Sequence, residues 1–269
     1  MNPLTWSRLA AAVITALACA APASAGDFAS SRPAARLEYW QQRQATIDAQ
    51  VADTAALPAI KLVFVGDSIT DFWLLGEDPW IPGRQHGRRI WDESFGVGQN
   101  HALNIGISGD RTEHLLHRIL PRAQGGLGQL DAEPLQPEFL VLMVGINNSY
   151  APEAPVADSV YEGVLAVMRA LHARKPRARL VLQSILPTSE PDRDAAVVRP
   201  VNARLAALAK TPEFAGFTTW LDLFPSFVDS QGRQDARLFV DGLHPSEAGY
   251  RVWRDRLLST LATLRAGAR

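Results

Sequence analysis

Short apolar runs alternate with longer amphipathic stretches along most of the chain. The runs at residues 62–65, 102–107, 139–145, 180–185 and 218–223 are each about as long as a buried strand, and Gly, Pro, Asn or Asp bounds them. The stretches between them repeat at helical spacing. Residues 112–120 carry Leu115, Leu116 and Ile119 on one side, and residues 156–173 carry Val160, Val164, Val167, Met168 and Leu171. Val201, Leu205 and Leu208 align within residues 192–210, as do Tyr250, Trp253, Leu257, Leu261 and Leu264 within residues 246–264. Ahead of the first run, residues 34–54 lack Gly and Pro and space Leu37, Trp40, Ile47 and Val51 as one helical face. This alternation predicts an α/β domain: a mostly parallel sheet of about five strands, covered by helices on both faces in three layers. No internal repeat or linker divides it, and the Gly-rich residues 124–129 read as a loop.

The first 25 residues follow another pattern. Arg8 precedes an apolar run from Leu9 to Ala18, and Ala23-Ser24-Ala25 supplies small residues for cleavage, the layout of a secretory signal peptide. The expected mature chain is therefore residues 26–269, a single domain in the periplasm or outside the cell. The run is shorter than the roughly 20 apolar residues of a membrane span, and none is expected. The single cysteine, Cys19, falls within the signal, so the mature domain has no disulfide. A net charge of −1 points to no nucleic-acid partner.

In an open parallel sheet, ligands bind in the crevice outside the strands' carboxyl ends, so polar residues just after the apolar runs are weighed together. The first run ends in Gly66-Asp67-Ser68, the second in Ser108-Gly109-Asp110, the third in Gly145-Ile146-Asn147-Asn148. Asp241-Gly242-Leu243-His244-Pro245 follows the fifth. Ser68, where a strand turns into a helix, is a candidate nucleophile whose backbone N–H faces developing negative charge; alone it reads more readily as a helix cap. His244 is the base it needs, and Asp241, three residues earlier on a tight loop, can fix the ring's tautomer. The Ser68 N–H, the Gly109 N–H and the Asn147 side-chain amide are candidate donors to a tetrahedral oxyanion. Asp67 is expected to steady the turn around Ser68.

With these four blocks in this order, the chain resembles the SGNH (GDSL-type) hydrolases, whose motifs contribute Ser, Gly, Asn and His, here Ser68, Gly109, Asn147 and His244. "HALNIGISGDRTEHLLHRI", "VGINN" and "DGLHPSEAGY" are most similar to the branch of the platelet-activating-factor acetylhydrolase catalytic subunits, over residues 61–261. The resemblance implies a flavodoxin-like α/β/α sandwich and ester hydrolysis through an acyl-serine, without metal or cofactor. It implies a short acyl group, acetyl foremost. Ile146 stands where the family often has threonine, which puts one hydrogen bond behind the asparagine in question. Residues 76–93 look longer than the matching segment of those subunits, so substrate preference does not carry over.

That segment holds Trp80, Arg84, His86, Arg88, Arg89 and Trp91. Trp73, Trp80, Arg84 and Trp91 are candidate substrate contacts, aromatic faces and a cation suited to a sugar ring or an anionic leaving group; a solvated loop pinned by its tryptophans is the plainer reading. Glu113, His114 and His117 lack further ligands at metal-binding spacing and read as a solvated helical face. The sequence therefore predicts an exported serine esterase acting on a small-molecule or carbohydrate ester. Lysophospholipid or thioester hydrolysis, and a catalytically silent carbohydrate-binding module, are the alternatives.

Overall fold

A computed structural model describes residues 28–36 and 40–267. The expected signal peptide and Leu37 lie outside the described residues.

Five parallel strands form one sheet: β1 (Leu62–Gly66), β2 (Ala102–Asn104), β3 (Phe139–Met143), β4 (Arg179–Gln183) and β5 (Thr218–Leu221), in the order β2-β1-β3-β4-β5. Every residue of β1 and β3 is buried, as a parallel sheet with both faces covered requires. The helices are α1 (Gln41–Ala52), α2 (Ser68–Asp71), α3 (Arg88–Phe95), α4 (Thr112–Ile119), α5 (Val156–Arg174), α6 (Pro191–Arg193), α7 (Arg199–Leu208) and α8 (Glu247–Ala266). A π-helical turn, Asp194–Val198, joins α6 to α7, so the expected helix at 192–210 exists but is wound unevenly. The strand order reverses after β2. Right-handed crossovers then place α4, α5 and α7 on one face, packed side by side, and α3 with α8 on the other.

The α3/α8 face is filled by aromatic rings. Phe64 of β1 meets Trp73, Trp91 and Phe95 at centroid distances of 5.0 to 6.0 Å, and Trp73 also packs on Tyr250 and Trp253 of α8. This overturns two expectations: Trp73 is fully buried and Trp91 is 7 % exposed, so both are core residues that no substrate reaches.

The apolar runs outlast the strands they form. Ile105, Ile107, Val144, Ile185 and Leu223 remain buried but lie beyond the last paired residues. There regular pairing ends and the backbone builds loops at the carboxyl edge, although the Ile105 and Ile107 N–H groups still reach the Phe64 and Gly66 carbonyls of β1.

Candidate active site

β1 ends where only glycine fits. A Cβ on Gly66 would stand 2.2 Å from both the Met143 carbonyl and the Thr70 hydroxyl, so the turn from β1 into α2 is packed directly on the end of β3. Asp67 caps α2, its carboxylate accepting the Ile69 N–H at 3.0 Å. Thr70 O accepts from Asn104 Nδ2, and Ile69 O from the Tyr250 hydroxyl at 2.8 Å. Burial pushes the Tyr250 phenol well above its usual range, which keeps that hydroxyl a donor. Ser68, 3 % exposed, is thereby fixed at the head of the sheet. The helix it opens is a single turn, so the local N–H groups rather than a long helix dipole are available to an anion.

The chain then supplies His244 from the turn before α8. Its Nε2 lies 2.9 Å from Ser68 Oγ, and its Nδ1 lies 2.7 Å from Asp241 Oδ2. The other oxygen of Asp241 accepts the backbone N–H groups of Leu243 and His244 at 3.0 and 2.8 Å. Desolvation alone would raise the Asp241 carboxyl. The bonds from the His244 ring and backbone, with the charge of that ring, outweigh it and hold the group well below the usual carboxylate range. A carboxylate on Nδ1 places the ring's proton there and leaves Nε2 to accept the serine hydroxyl.

The candidate oxyanion donors converge by a separate set of bonds. Gly109 has φ 78°, a left-handed conformation, and its Cα faces the Arg36 guanidinium so closely that a Cβ would lie 2.5 Å from Nη2. Asn147 Nδ2 donates to the Asp110 carbonyl at 2.8 Å, which leaves its second N–H for a ligand. The Gly109 turn is tied to the nucleophile turn on the other side, because Ser108 N–H donates to Asp71 Oδ2 at 3.0 Å and Ile107 N–H to Gly66 O at 3.3 Å. Ser68, Gly109, Asn147, Asp241 and His244 are thus brought to one edge of the sheet.

Several residues that hold this edge carried no signal in the sequence. Arg118, buried on α4, donates to Asp110 Oδ2 at 2.7 Å, to Ile105 O at 2.6 Å and to Gly66 O at 3.3 Å. Arg36 reaches in from the segment before α1 to Ser108 O and Asp110 Oδ1. Asn148 bonds Thr112 and the carboxylate of Glu113. Glu113 is accordingly buried, 6 % exposed, where a solvated face was expected. Asp67 does steady the turn, yet burial, with Asp110 nearby, pushes its carboxyl up to about 7, against the opposing Ile69 N–H bond and the His244 charge.

Residues 76–86 form a hairpin-like loop, Glu77 bridging Gln85. Trp80, 74 % exposed, and Arg84, also exposed, lie on it and are the two candidate substrate contacts that solvent reaches.

The family model of the GDSL-like lipase/acylhydrolases matches residues 64–252. The alpha1 subunit of human platelet-activating factor acetylhydrolase IB is 33 % identical over 192 residues, 71 % of this chain and 70 % of that protein. The rat alpha2 subunit is 31 % identical over 191 residues, 70 % of each chain. Among solved structures, a GDSL-like lipase from Bacteroides thetaiotaomicron superposes with a TM-score of 0.58 at 21 % identity, covering 82 % of this chain and 99 % of that one. A carbohydrate esterase family 3 protein from Talaromyces cellulolyticus gives 0.50 at 20 % identity, covering 76 % and 97 %. Both share the fold described above.

Proposed function

The chain belongs to the GDSL-like lipase/acylhydrolase family, and from that premise we propose that it is an exported serine esterase removing short acyl groups, acetyl foremost, from small or carbohydrate esters. One observation carries the reading: the unbroken hydrogen-bonded chain from Asp241 through His244 to Ser68, at 2.7 and 2.9 Å. Ser68 Oγ attacks the ester carbonyl carbon while Nε2 of His244 takes the hydroxyl proton, and Asp241 stabilises the imidazolium that forms. The oxyanion is received by the N–H groups of Ser68 and Gly109 and by the free N–H of Asn147. When the C–O bond of the alcohol breaks, His244 returns the proton to the leaving oxygen and the acyl group remains on Ser68. Water, giving a proton to His244, then releases the acid and restores the serine.

The acetyl preference rests on the curated relatives, which are acetylhydrolases by name. The carbohydrate preference rests on Trp80 and Arg84, exposed on the loop that packs beside His244, and export rests on the pattern of residues 1–25. The test is hydrolysis of p-nitrophenyl esters of increasing chain length by the protein from Gly26 onward, beside Ser68→Ala and His244→Ala, with intact-mass detection of a fluorophosphonate adduct. Both substitutions are expected to lower kcat by about a thousandfold or more, and only the protein with Ser68 should gain the adduct. An optimum at C2 supports the acetyl reading. An optimum at C8 or beyond replaces it with the lysophospholipase or thioesterase type, and a folded protein with neither turnover nor adduct ends the esterase reading.

A further inference from the structure

Within the exposed 76–86 loop two side chains are buried, Asp78 and His86. His86 is 1 % exposed, and neither of its ring nitrogens faces solvent. Nε2 lies 2.8 Å from Asp78 Oδ2, and Nδ1 lies 3.0 Å from the carbonyl oxygen of Pro245, the residue after His244. Carboxylate and carbonyl oxygens accept, so each ring nitrogen faces a partner to which an N–H there can donate. We propose that His86 is a positioning residue for His244, holding the histidine turn at the distance from Ser68 that proton transfer needs. The inference rests on the esterase reading above and deepens it.

Three further contacts support this assignment. The Phe72 ring meets both histidines, 5.0 Å from His86 and 4.7 Å from His244, and the two imidazoles lie 6.5 Å apart edge to face, so the three rings form one packed cluster beside Ser68. Asp78 is anchored in turn, its second oxygen accepting the N–H groups of Trp80 and Ile81 at 2.8 and 2.7 Å. Desolvation opposes its ionisation, but these bonds and the His86 ring keep the carboxyl below its usual range. Finally, Glu247 at the start of α8 donates its N–H to Gln85 O at 2.8 Å, so the loop grips the chain on the α8 side of Pro245 as well. The histidine turn is also tied to the 238–240 segment, where Phe239 bridges Pro245 and Ser246 N–H donates to Leu238 O at 2.9 Å, whereas His86 is the side chain that bonds the Pro245 carbonyl. Val240 N–H meets His244 O at 2.8 Å, and Ser189 N–H and Gln234 Nε2 both reach Gly242 O.

The two nitrogens of His86 can be tested separately. In His86→Asn the amide nitrogen takes the place of Nδ1 and keeps the donor to Pro245 O; in His86→Gln it takes the place of Nε2 and keeps the donor to Asp78. Positioning through Pro245 predicts that the Gln variant loses about tenfold to a hundredfold in kcat on p-nitrophenyl acetate with KM nearly unchanged, because a displacement of about an ångström is costly in proton transfer. The Asn variant is expected to stay within about threefold of wild type. A Gln variant with wild-type kcat, or an Asn variant that falls as far as it does, overturns the proposal. Asp78→Asn, which leaves the Pro245 contact in place, supplies a second arm should either His86 variant fail to fold: kcat within about threefold supports the proposal, and a drop equal to that of His244→Ala refutes it. Fluorophosphonate labelling of the wild-type protein is run alongside. If wild type does not label, the esterase reading has failed; if it labels and turns over while the Gln variant matches it, only the role of His86 has.

Discussion

The two turns that meet at Ser68 and His244 are built in opposite ways. The nucleophile turn lies in the core: Asp67, Ser68, Ile69 and Thr70 are all buried, and Arg118, Asn104 and Tyr250 each bond its backbone. The histidine turn lies at the surface, the Asp241 side chain 34 % exposed, and much of its shape comes from Asp241 itself. The two aspartates register the difference. Burial drives Asp67 up to about 7, whereas its bonds to the His244 ring and backbone pull Asp241 down despite desolvation. A nucleophile needs only a fixed address, so a dry and rigid site suits it. The base must gain and lose a proton in each cycle, and it is held where a carboxylate can stay charged.

Asp241→Asn breaks this comparison most sharply. The asparagine carbonyl is needed by the N–H groups of Leu243 and His244, so its amide nitrogen faces Nδ1 and donates to it. Nδ1 then loses its proton and Nε2 presents N–H to Ser68, the wrong tautomer for a base. The expected fall in kcat is about 10⁴-fold with little change in KM, read by steady-state kinetics. A fall of less than about tenfold would mean that the exposed turn orients His244 without its carboxylate.

Asp67→Asn tests the buried half through stability. The folded-state pKa of Asp67 lies above the unfolded value near 3.8, so between those values the native state binds the extra proton. Stability must then fall as pH rises from about 4 to 7, by an amount on the order of a few kcal/mol for a shift of this size. Asparagine keeps the cap to Ile69 and removes the titration, and the variant should lose that slope in urea melts across the range. Asp241 has the opposite sign: its folded pKa is depressed, so the stability it contributes above about pH 4 is lost in more acidic solution. Identical slopes in wild type and Asp67→Asn would show that the buried carboxyl is not the titrating group.

The buried half was also the more legible in sequence. Alternating apolar runs and amphipathic stretches describe a covered parallel sheet, and the polar residues after each run mark its carboxyl edge. The runs could not show where regular pairing stops, because Ile105, Ile107 and Ile185 stay buried beyond the last paired residues. Nor could they say which aromatic faces where. Phe72 and Trp73 share one 3₁₀ turn, in which successive side chains diverge by about a third of a revolution, so Phe72 lies under His244 while Trp73 enters the core. Arg36 and the Asp78–His86 pair act across 72 and 159 positions, on Ser108 and Pro245, and no local spacing reports such contacts.

The smallest effect belongs to the loop tip. Trp80 and Trp73 are seven positions apart yet differ completely in burial, so they separate binding from folding. Trp73→Ala empties a fully buried site among aromatic rings and should cost about 3–5 kcal/mol in denaturant melts. Trp80→Ala should change stability by less than about 0.5 kcal/mol, since the ring makes little of the fold. If the tip receives a sugar, KM for an acetylated oligosaccharide should rise about fivefold, the worth of roughly 1 kcal/mol of ring contact. The kcat on p-nitrophenyl acetate, too small to reach the tip, should stay within about twofold. Equal KM changes on both esters would place Trp80 beside the acyl group and not the alcohol. No change on either would leave the loop its other task, carrying His86 to the back of the histidine turn.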